Sequence, residues 1–173
     1  PKRNVINENK NSKLFEEIEI QKVTRIKSGF KELDRVLGGG FVQGSIVLLG
    51  GEPGIGKSTL ILQSAAKISL CESVLYITAE ESLEQVKIRW ERLDQKYSDL
   101  KIFAENNLST IINEIKRINP KIAVIDSIQA INNDEMESAA GSVSQVRSCS
   151  SSLQKFAKDN NIALLIIGHV TKD

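Results

Sequence analysis

A glycine-rich segment, residues 51–59, carries the pattern with the clearest chemistry, because it fits GxxxxGK[ST] in full. Glycines let such a loop turn tightly and aim several backbone N–H groups inward, where they can surround phosphate oxygens. The ammonium of Lys57 can reach the β- and γ-phosphates, the hydroxyl of Ser58 can bind Mg²⁺, and Thr59 can reach the α-phosphate. The segment therefore predicts a site for ATP and Mg²⁺ made by Gly51, Glu52, Pro53, Gly54, Ile55, Gly56, Lys57, Ser58 and Thr59.

A loop of this kind lies between a strand and a helix, since the first helical turn adds unpaired N–H groups and the positive end of its dipole. The apolar run at 45–49 predicts the strand, and the pattern at 57–70 predicts the helix. This context disfavours the alternative, which is a chance glycine-rich turn that binds nothing.

Asp126 ends another apolar run, residues 121–125, and is the candidate for the acidic residue that holds the Mg²⁺ shell through water. A carboxylate at the end of a buried strand is costly without a partner, which favours a cation nearby. The alternative is an aspartate that caps the turn beginning at Ser127. We expect the metal site to consist of Ser58 and Asp126.

ATP hydrolysis needs a group that orients and deprotonates the attacking water, and two acids are candidates. Glu80 and Glu81 follow the apolar run 73–78 at the same predicted sheet edge. We expect Glu80 rather than Glu81 to be the general base. In the alternative interpretation both acids only favour the dipole of the helix predicted at 82–93.

His169 is the only histidine, and it follows the last apolar run, residues 162–168. A polar side chain there could contact the γ-phosphate. Its position alone favours a structural or exposed histidine over this role.

These candidate residues need a scaffold that brings strand ends together. Apolar strands alternate with amphipathic helices along the chain, and the series also includes a strand at 101–104 and helices at 108–118 and 142–160. Strands that are apolar throughout are buried on both faces. The alternation predicts an α/β fold with a mainly parallel sheet and helices on both faces, in which ligands lie at the carboxyl ends of the strands.

The chain of 173 residues is long enough for one domain with a proper core. Residues 1–22 are rich in Asn, Lys and Glu, which predicts a flexible tail or linker with an edge strand near 15–20. Residues 23–173 form the predicted core. The formal net charge of +1 means that an anionic ligand must be held by a local arrangement rather than by bulk charge.

Cysteine usage and hydropathy indicate a cytoplasmic protein. Cys71 and Cys149 form no CxxC pair, so we expect two reduced cysteines and no zinc ribbon. No apolar run approaches the ~18 residues needed to span a membrane, so no membrane partner is expected.

Longer stretches of the sequence resemble the RadA (Sms) family of bacterial DNA repair proteins. The resemblance covers about residues 23–173 and begins with LDRVLGGG at 33–40 and GGEPGIGKST at 50–59. The phosphate loop alone would be unspecific. The later segments that agree in order are EES at 80–82, IDSIQ at 125–129, GSVSQVR at 141–147 and GHVTK at 168–172.

This resemblance implies a RecA-like P-loop ATPase that forms a hexameric ring, binds single-stranded DNA, acts with a recombinase and assists branch migration during recombination and repair. It implies that Glu80 is the catalytic glutamate beside Lys57, and that Asp126 is the Walker B acid. His169 would be a γ-phosphate sensor, with a second DNA loop after it. The first DNA-facing loop would lie at 134–145, with contacts from Ser142, Gln145 and Arg147.

The residues themselves favour a flexible linker over a DNA site at 134–147, because only Arg147 is basic and no aromatic side chain is present to stack on a base. Two other functions therefore stay open. One is a RecA-like ATPase that acts on protein partners, such as a clock-type kinase. The other is a nucleotide-dependent assembly switch.

The sequence departs from the RadA pattern because it has no four-cysteine zinc motif, no KNRFG segment and no Lon-protease-like domain. We interpret the chain as a piece of a longer protein, with an ATPase core that is truncated at its C-terminal end. RecA-like rings usually complete the ATP site with a basic residue of the next subunit. Hydrolysis by this piece is expected to be weak if the missing segment supplies that residue.

Overall fold

Strands and helices alternate along the described part of the chain, which comprises residues 12, 14–17, 23–93 and 99–169 of the computed structural model. The helices are α1 (Lys31–Val36), α2 (Lys57–Ile68), α3 (Leu83–Glu91), α4 (Leu108–Ile118) and α5 (Val143–Asn160). The strands are β1 (Arg25–Ile26), β2 (Phe41–Val42), β3 (Ile46–Gly51), β4 (Val74–Thr78), β5 (Lys101–Ala104), β6 (Ile122–Asp126) and β7 (Ala163–His169). Short 3₁₀ helices occur at Phe15–Glu17 and Ile128–Ala130.

Five of the strands form one sheet in the order β3-β7-β6-β4-β5, and each neighbouring pair is parallel. This arrangement confirms the predicted parallel sheet. The register pairs Thr78 with Asp126 and Gly51 with His169. The ends of four strands, and the candidate residues that follow them, therefore meet at one edge of the sheet.

The two faces of the sheet pack against different helices. On one face α4 and α5 cover a cluster that includes Ile111 and Leu153. On the other face α2 and α3 cover a cluster that includes Leu62 and Val86. Every residue of β4 and β6 is buried, as expected for strands with helices on both sides.

The starts of the helices follow from local sequence. Ser82 begins α3 with a capping box that includes Gln85, while Asn107 and Ser142 cap α4 and α5 through their side-chain oxygens. Asn161 ends α5 in the left-handed conformation, with a φ of 53°. Within the described ranges no helix is long and apolar enough to cross a membrane.

The edge strand predicted near 15–20 is wrong for residues 15–17, which form a 3₁₀ helix, and residues 18–20 lie outside the described residues. Most of the predicted tail, 1–22, also lies outside them. The small antiparallel pair β1 and β2 was not predicted. Two residues per strand are too few for a periodic pattern to be visible.

Candidate active site

The phosphate loop joins β3 to α2, as the sequence predicted. Gly54 and Gly56 have φ values of 77° and 91°, a left-handed conformation that glycine adopts readily. Gly56 is the N-cap residue of α2, and no side chain caps this helix end. The N–H groups of the first turn are therefore left for a ligand, and an anion suits them because the helix dipole is positive there.

Lys57 is the buried cation of this loop, with 7% of its surface exposed. Its Nζ donates hydrogen bonds to the carbonyl oxygens of Gly51 at 2.8 Å and Glu52 at 2.7 Å. Both partners are neutral oxygens. The charge of the ammonium is therefore not neutralised by these two contacts and can act on a phosphate.

Ser58 and Asp126 meet at the start of α2. Ser58 Oγ donates to Asp126 Oδ1 at 3.0 Å, and the hydroxyl of Tyr76 donates to the other carboxylate oxygen, Oδ2. Asp126 is buried, with 8% of its surface exposed. Burial, and next the charge of Asp126, raise the pKa of the Tyr76 phenol well above its usual value, so the phenol remains a donor at neutral pH.

The oxygens at this point suit magnesium. A hydroxyl and a carboxylate are hard ligands, and Mg²⁺ is usually bound by one or two carboxylates together with substrate phosphates and water. The residues that the structure describes contain no group of three or more His, Cys, Asp or Glu side chains that could hold a metal. Ser58 and Asp126 therefore fit an ion that arrives with a nucleotide, rather than an all-protein metal cage.

Glu80 and Glu81 are neighbours in the chain with different partners. Glu80 Oε1 accepts a hydrogen bond from Ser127 Oγ. Glu81 is paired with Arg89, with one contact of 3.0 Å from Nη1 to Oε1 and another of 2.9 Å from Nη2 to Oε2. The Glu80 carboxylate is thus adjacent to the end of β6, whereas the Glu81 carboxylate is held by α3.

His169 completes the edge between the phosphate loop and Glu80. Its Nε2 lies 3.4 Å from Glu80 Oε1, and its carbonyl oxygen accepts from Gln129 Nε2 at 3.0 Å. Within the described part of the chain, the buried Nδ1 has no hydrogen-bond partner. The structure therefore brings together Lys57, Ser58, Glu80, Asp126 and His169, all of which the sequence singled out.

The three residues suggested as DNA contacts lie at the start of α5, in different environments. Ser142 caps the helix, with its Oγ accepting from the N–H of Gln145 at 3.3 Å. Arg147 is exposed. Gln145 is fully buried, and its Nε2 donates to Ser138 O at 2.7 Å and to Asn133 O at 3.2 Å. Gln145 thus holds the preceding segment in place and has no exposed surface for a ligand.

Sequence reasoning missed three side chains that organise this site: Tyr76, Arg89 and Ser127. Tyr76 had a detectable signal, because a hydroxyl within an otherwise apolar strand needs a buried partner. Arg89 and Ser127 had no comparable signal, because their partners become visible only after the strands and helices are assembled.

Comparisons with known proteins agree with this architecture. A family model described as AAA domain matches residues 12–173. DNA repair protein RadA of Streptococcus pneumoniae is 50% identical over 151 residues, which make up 87% of this chain and 36% of that protein. The RadA proteins of Listeria monocytogenes and Haemophilus influenzae are 51% and 47% identical over 86% and 91% of this chain. These matches cover 33% and 34% of the two relatives, so the chain spans about a third of the length of the curated relatives it matches.

Two solved structures show the same fold at low sequence identity. The ATPase domain of G40P superposes with a TM-score of 0.70 at 21% identity, over 87% of this chain and 65% of that chain. A KaiC-like protein from Pyrococcus horikoshii superposes with a TM-score of 0.64 at 23% identity, over 86% of this chain and 71% of that chain. The predicted RecA-like P-loop fold is therefore confirmed.

Proposed function

Because the chain belongs to the AAA domain family and is homologous to the RadA DNA repair proteins, we propose that it is the ATP-binding core of a DNA-stimulated ATPase. The main support for this proposal is the set of groups that meet at one edge of the sheet. There an uncapped helix start, the ammonium of Lys57, the Ser58–Asp126 pair and the carboxylate of Glu80 lie together. Each of these groups has a task in phosphoryl transfer to water.

In the proposed mechanism, the N–H groups around Gly54 and Gly56 and the ammonium of Lys57 bind the phosphates of ATP. The hydroxyl of Ser58 and, through water, the carboxylate of Asp126 would hold magnesium. That ion supplies positive charge against the charge that develops on the transferred phosphoryl group. Lys57 leaves the carbonyl oxygens of Gly51 and Glu52 in order to reach the phosphate.

Glu80 orients the attacking water and takes its proton. Ser127 and His169 contact the same oxygen of Glu80, Oε1, so they hold the carboxylate at this edge. His169 is also the proposed γ-phosphate sensor, and its position beside the phosphate loop supports this role, since its backbone is paired in register with Gly51. Support for Glu80 over Glu81 comes from Arg89, which engages the Glu81 carboxylate.

For the DNA partner, we assign direct contacts to Ser142 and Arg147 and an indirect one to Gln145, which shapes the segment before α5. Single-stranded DNA is the proposed ligand. A cytoplasmic homohexamer that assists branch migration with a recombinase is the proposed setting. This part of the proposal is supported by the similarity to RadA, since the net charge of +1 provides no general attraction for nucleic acid.

The test is steady-state ATP hydrolysis with and without single-stranded DNA, on this chain and on the full-length protein. We expect DNA to increase the rate and the DNA affinity to fall with salt. Equal rates with and without DNA in the full-length protein would contradict the DNA role. Autophosphorylation would instead indicate a kinase that acts on protein, and nucleotide-dependent assembly without turnover would indicate a switch.

A further inference from the structure

Tyr76 is a polar side chain inside an apolar cluster. It lies in the middle of β4, has no exposed surface, and belongs to the same buried cluster as Leu62, Ala65 and Val124. A phenol hydroxyl in such surroundings costs free energy unless it has a hydrogen-bond partner. The partner here is the Asp126 carboxylate, whose Oδ2 accepts from the phenol.

The register of the sheet places these two side chains within reach. Tyr76 pairs with Val124, and Thr78 pairs with Asp126 on the adjacent parallel strand. Residues two apart on a strand share a face, so Tyr76 and Asp126 are diagonal neighbours on one face of the sheet.

Two donors meet the carboxylate from different directions. The phenol of Tyr76 donates to Oδ2, and the hydroxyl of Ser58 donates to Oδ1 at 3.0 Å. Since each oxygen has its own donor, rotation of the carboxylate about its last bond breaks both hydrogen bonds. Oδ1 is therefore held toward the phosphate loop and Oδ2 toward the core.

We propose that Tyr76 is a positioning residue for the metal-site carboxylate: its phenol holds Asp126 Oδ2 and thereby directs Oδ1 to Ser58 and to the magnesium that accompanies ATP. This inference rests on the proposed function, because it requires a magnesium–nucleotide complex at this edge. Tyr76 contacts neither nucleotide nor water in this role, and it acts only through Asp126.

The experiment measures affinity for a fluorescent ATP analogue in excess Mg²⁺ and in EDTA, for the unchanged chain, Tyr76→Phe and Ser64→Ala. Tyr76→Phe removes one buried hydroxyl and keeps the ring. Ser64→Ala is the matched control, since its buried Oγ donates to Ser28 O at 2.7 Å, a hydrogen bond that involves neither Asp126 nor Ser58. Thermal melting of all three proteins reports folding independently of nucleotide.

We expect the unchanged chain and Ser64→Ala to bind the analogue more tightly with Mg²⁺ than in EDTA. Tyr76→Phe should reduce that gain about tenfold, the lower end of what loss of an outer-shell partner costs in metal affinity, with its affinity in EDTA unchanged. In an Asp126→Asn background, Tyr76→Phe should have no further effect on the gain. A full Mg²⁺ gain in folded Tyr76→Phe would overturn the inference, and so would an equal loss in Ser64→Ala.

Two other outcomes are also decisive. If the unchanged chain binds no nucleotide, the proposed function itself fails. If Tyr76→Phe melts below the assay temperature, the comparison is made in the cold. Failure to fold there as well would mean that folding itself requires the hydroxyl, which overturns a role confined to positioning Asp126.

Discussion

The guanidinium of Arg89 holds the carboxylate of Glu81, with Nη1 3.0 Å from Oε1 and Nη2 2.9 Å from Oε2. This pair distinguishes two adjacent acids that the sequence alone could only rank. Glu81 is bound by Arg89 of α3, whereas Glu80 lies beside Ser127 and His169 at the sheet edge next to the phosphate loop.

Glu80→Gln should therefore retain ATP binding and lower hydrolysis by about a hundredfold to ten-thousandfold, the usual contribution of a general base. The matched control is Glu81→Gln. Its hydrolysis rate should stay within a few fold of the rate of the unchanged chain, and its melting temperature should fall because the pair with Arg89 is lost. Steady-state hydrolysis and nucleotide affinity are the measurements. Loss of hydrolysis in Glu81→Gln alone would reverse the assignment.

Lys57→Ala should weaken ATP binding by about ten- to a hundredfold, because hydrogen bonds to charged groups are among the stronger ones. Lys67→Ala is the control. Lys67 lies on the same helix, with its Nζ 3.8 Å from the centre of the Phe30 ring and 3.3 Å from Gly29 O, and it belongs to no proposed site. Isothermal titration measures the ATP affinity of both variants. Equal affinity in Lys57→Ala and the unchanged chain would refute the role of the ammonium.

Gly56→Ala should destabilise the chain by about 1–2 kcal/mol, because a left-handed φ is unfavourable for a residue with a β-carbon. The space around the position is open, so the cost comes from the backbone and not from a clash. Gly56→Asn should cost less, since asparagine tolerates this conformation better. Urea unfolding of both variants measures the difference, and equal stability of the two would argue against the backbone explanation.

Arg147→Ala should reduce the slope of log DNA affinity against log salt concentration by about 1, the contribution of one phosphate contact. Its control is Arg117→Ala. Arg117 is exposed on α4 and paired with Glu114, and its loss removes the same charge from a different surface. Titrations of fluorescent single-stranded DNA at several salt concentrations give the two slopes. Identical slopes for the two variants would mean that Arg147 does not contact a DNA phosphate.

The two cysteines should differ in reactivity. Cys71 is exposed and Cys149 is buried, and burial raises the pKa of the Cys149 thiol. The native chain should therefore react once, quickly, with an aromatic disulfide reagent at neutral pH, and a second time only after unfolding. Two fast equivalents in the native chain would contradict the buried position.

Burial raises the pKa of the Cys149 thiol in the folded chain above its value in the unfolded chain. The contribution of Cys149 to stability is therefore complete below the ordinary thiol pKa and falls as the pH rises above it.

Much of the fold was visible in the sequence, because buried parallel strands are continuous apolar runs, whereas amphipathic helices repeat apolar residues every three to four positions. The prediction for α4 at 108–118 matches the structure in its bounds, since an isoleucine-rich face and an asparagine at each end mark it locally. The 3₁₀ helix at Phe15–Glu17 was missed because an element of 3 residues is too short to show a periodic pattern of apolar side chains.

The candidate site was predictable where a motif fixed the spacing and unpredictable where the contacts cross the sheet. Lys57 and Ser58 belong to one local pattern. The hydrogen bond between Tyr76 and Asp126 joins residues 50 positions apart and depends on the strand order β4-β6, which the sequence did not specify. The burial of Gln145 was hidden for the same reason, since its partners belong to a separate segment of irregular backbone.

Gln145 has a mechanical consequence. Its amide joins the first turn of α5 to Asn132, Asn133 and Ser138, and Asn132 in turn forms a bridge with Asn107 at the start of α4. The first turn of α5, the segment 132–138 and the start of α4 are therefore joined by hydrogen bonds as well as by the apolar core. Because a hydrogen bond weakens steeply outside a narrow range of distance and angle, Gln145 restricts the positions that the first turn of α5 can take relative to this segment.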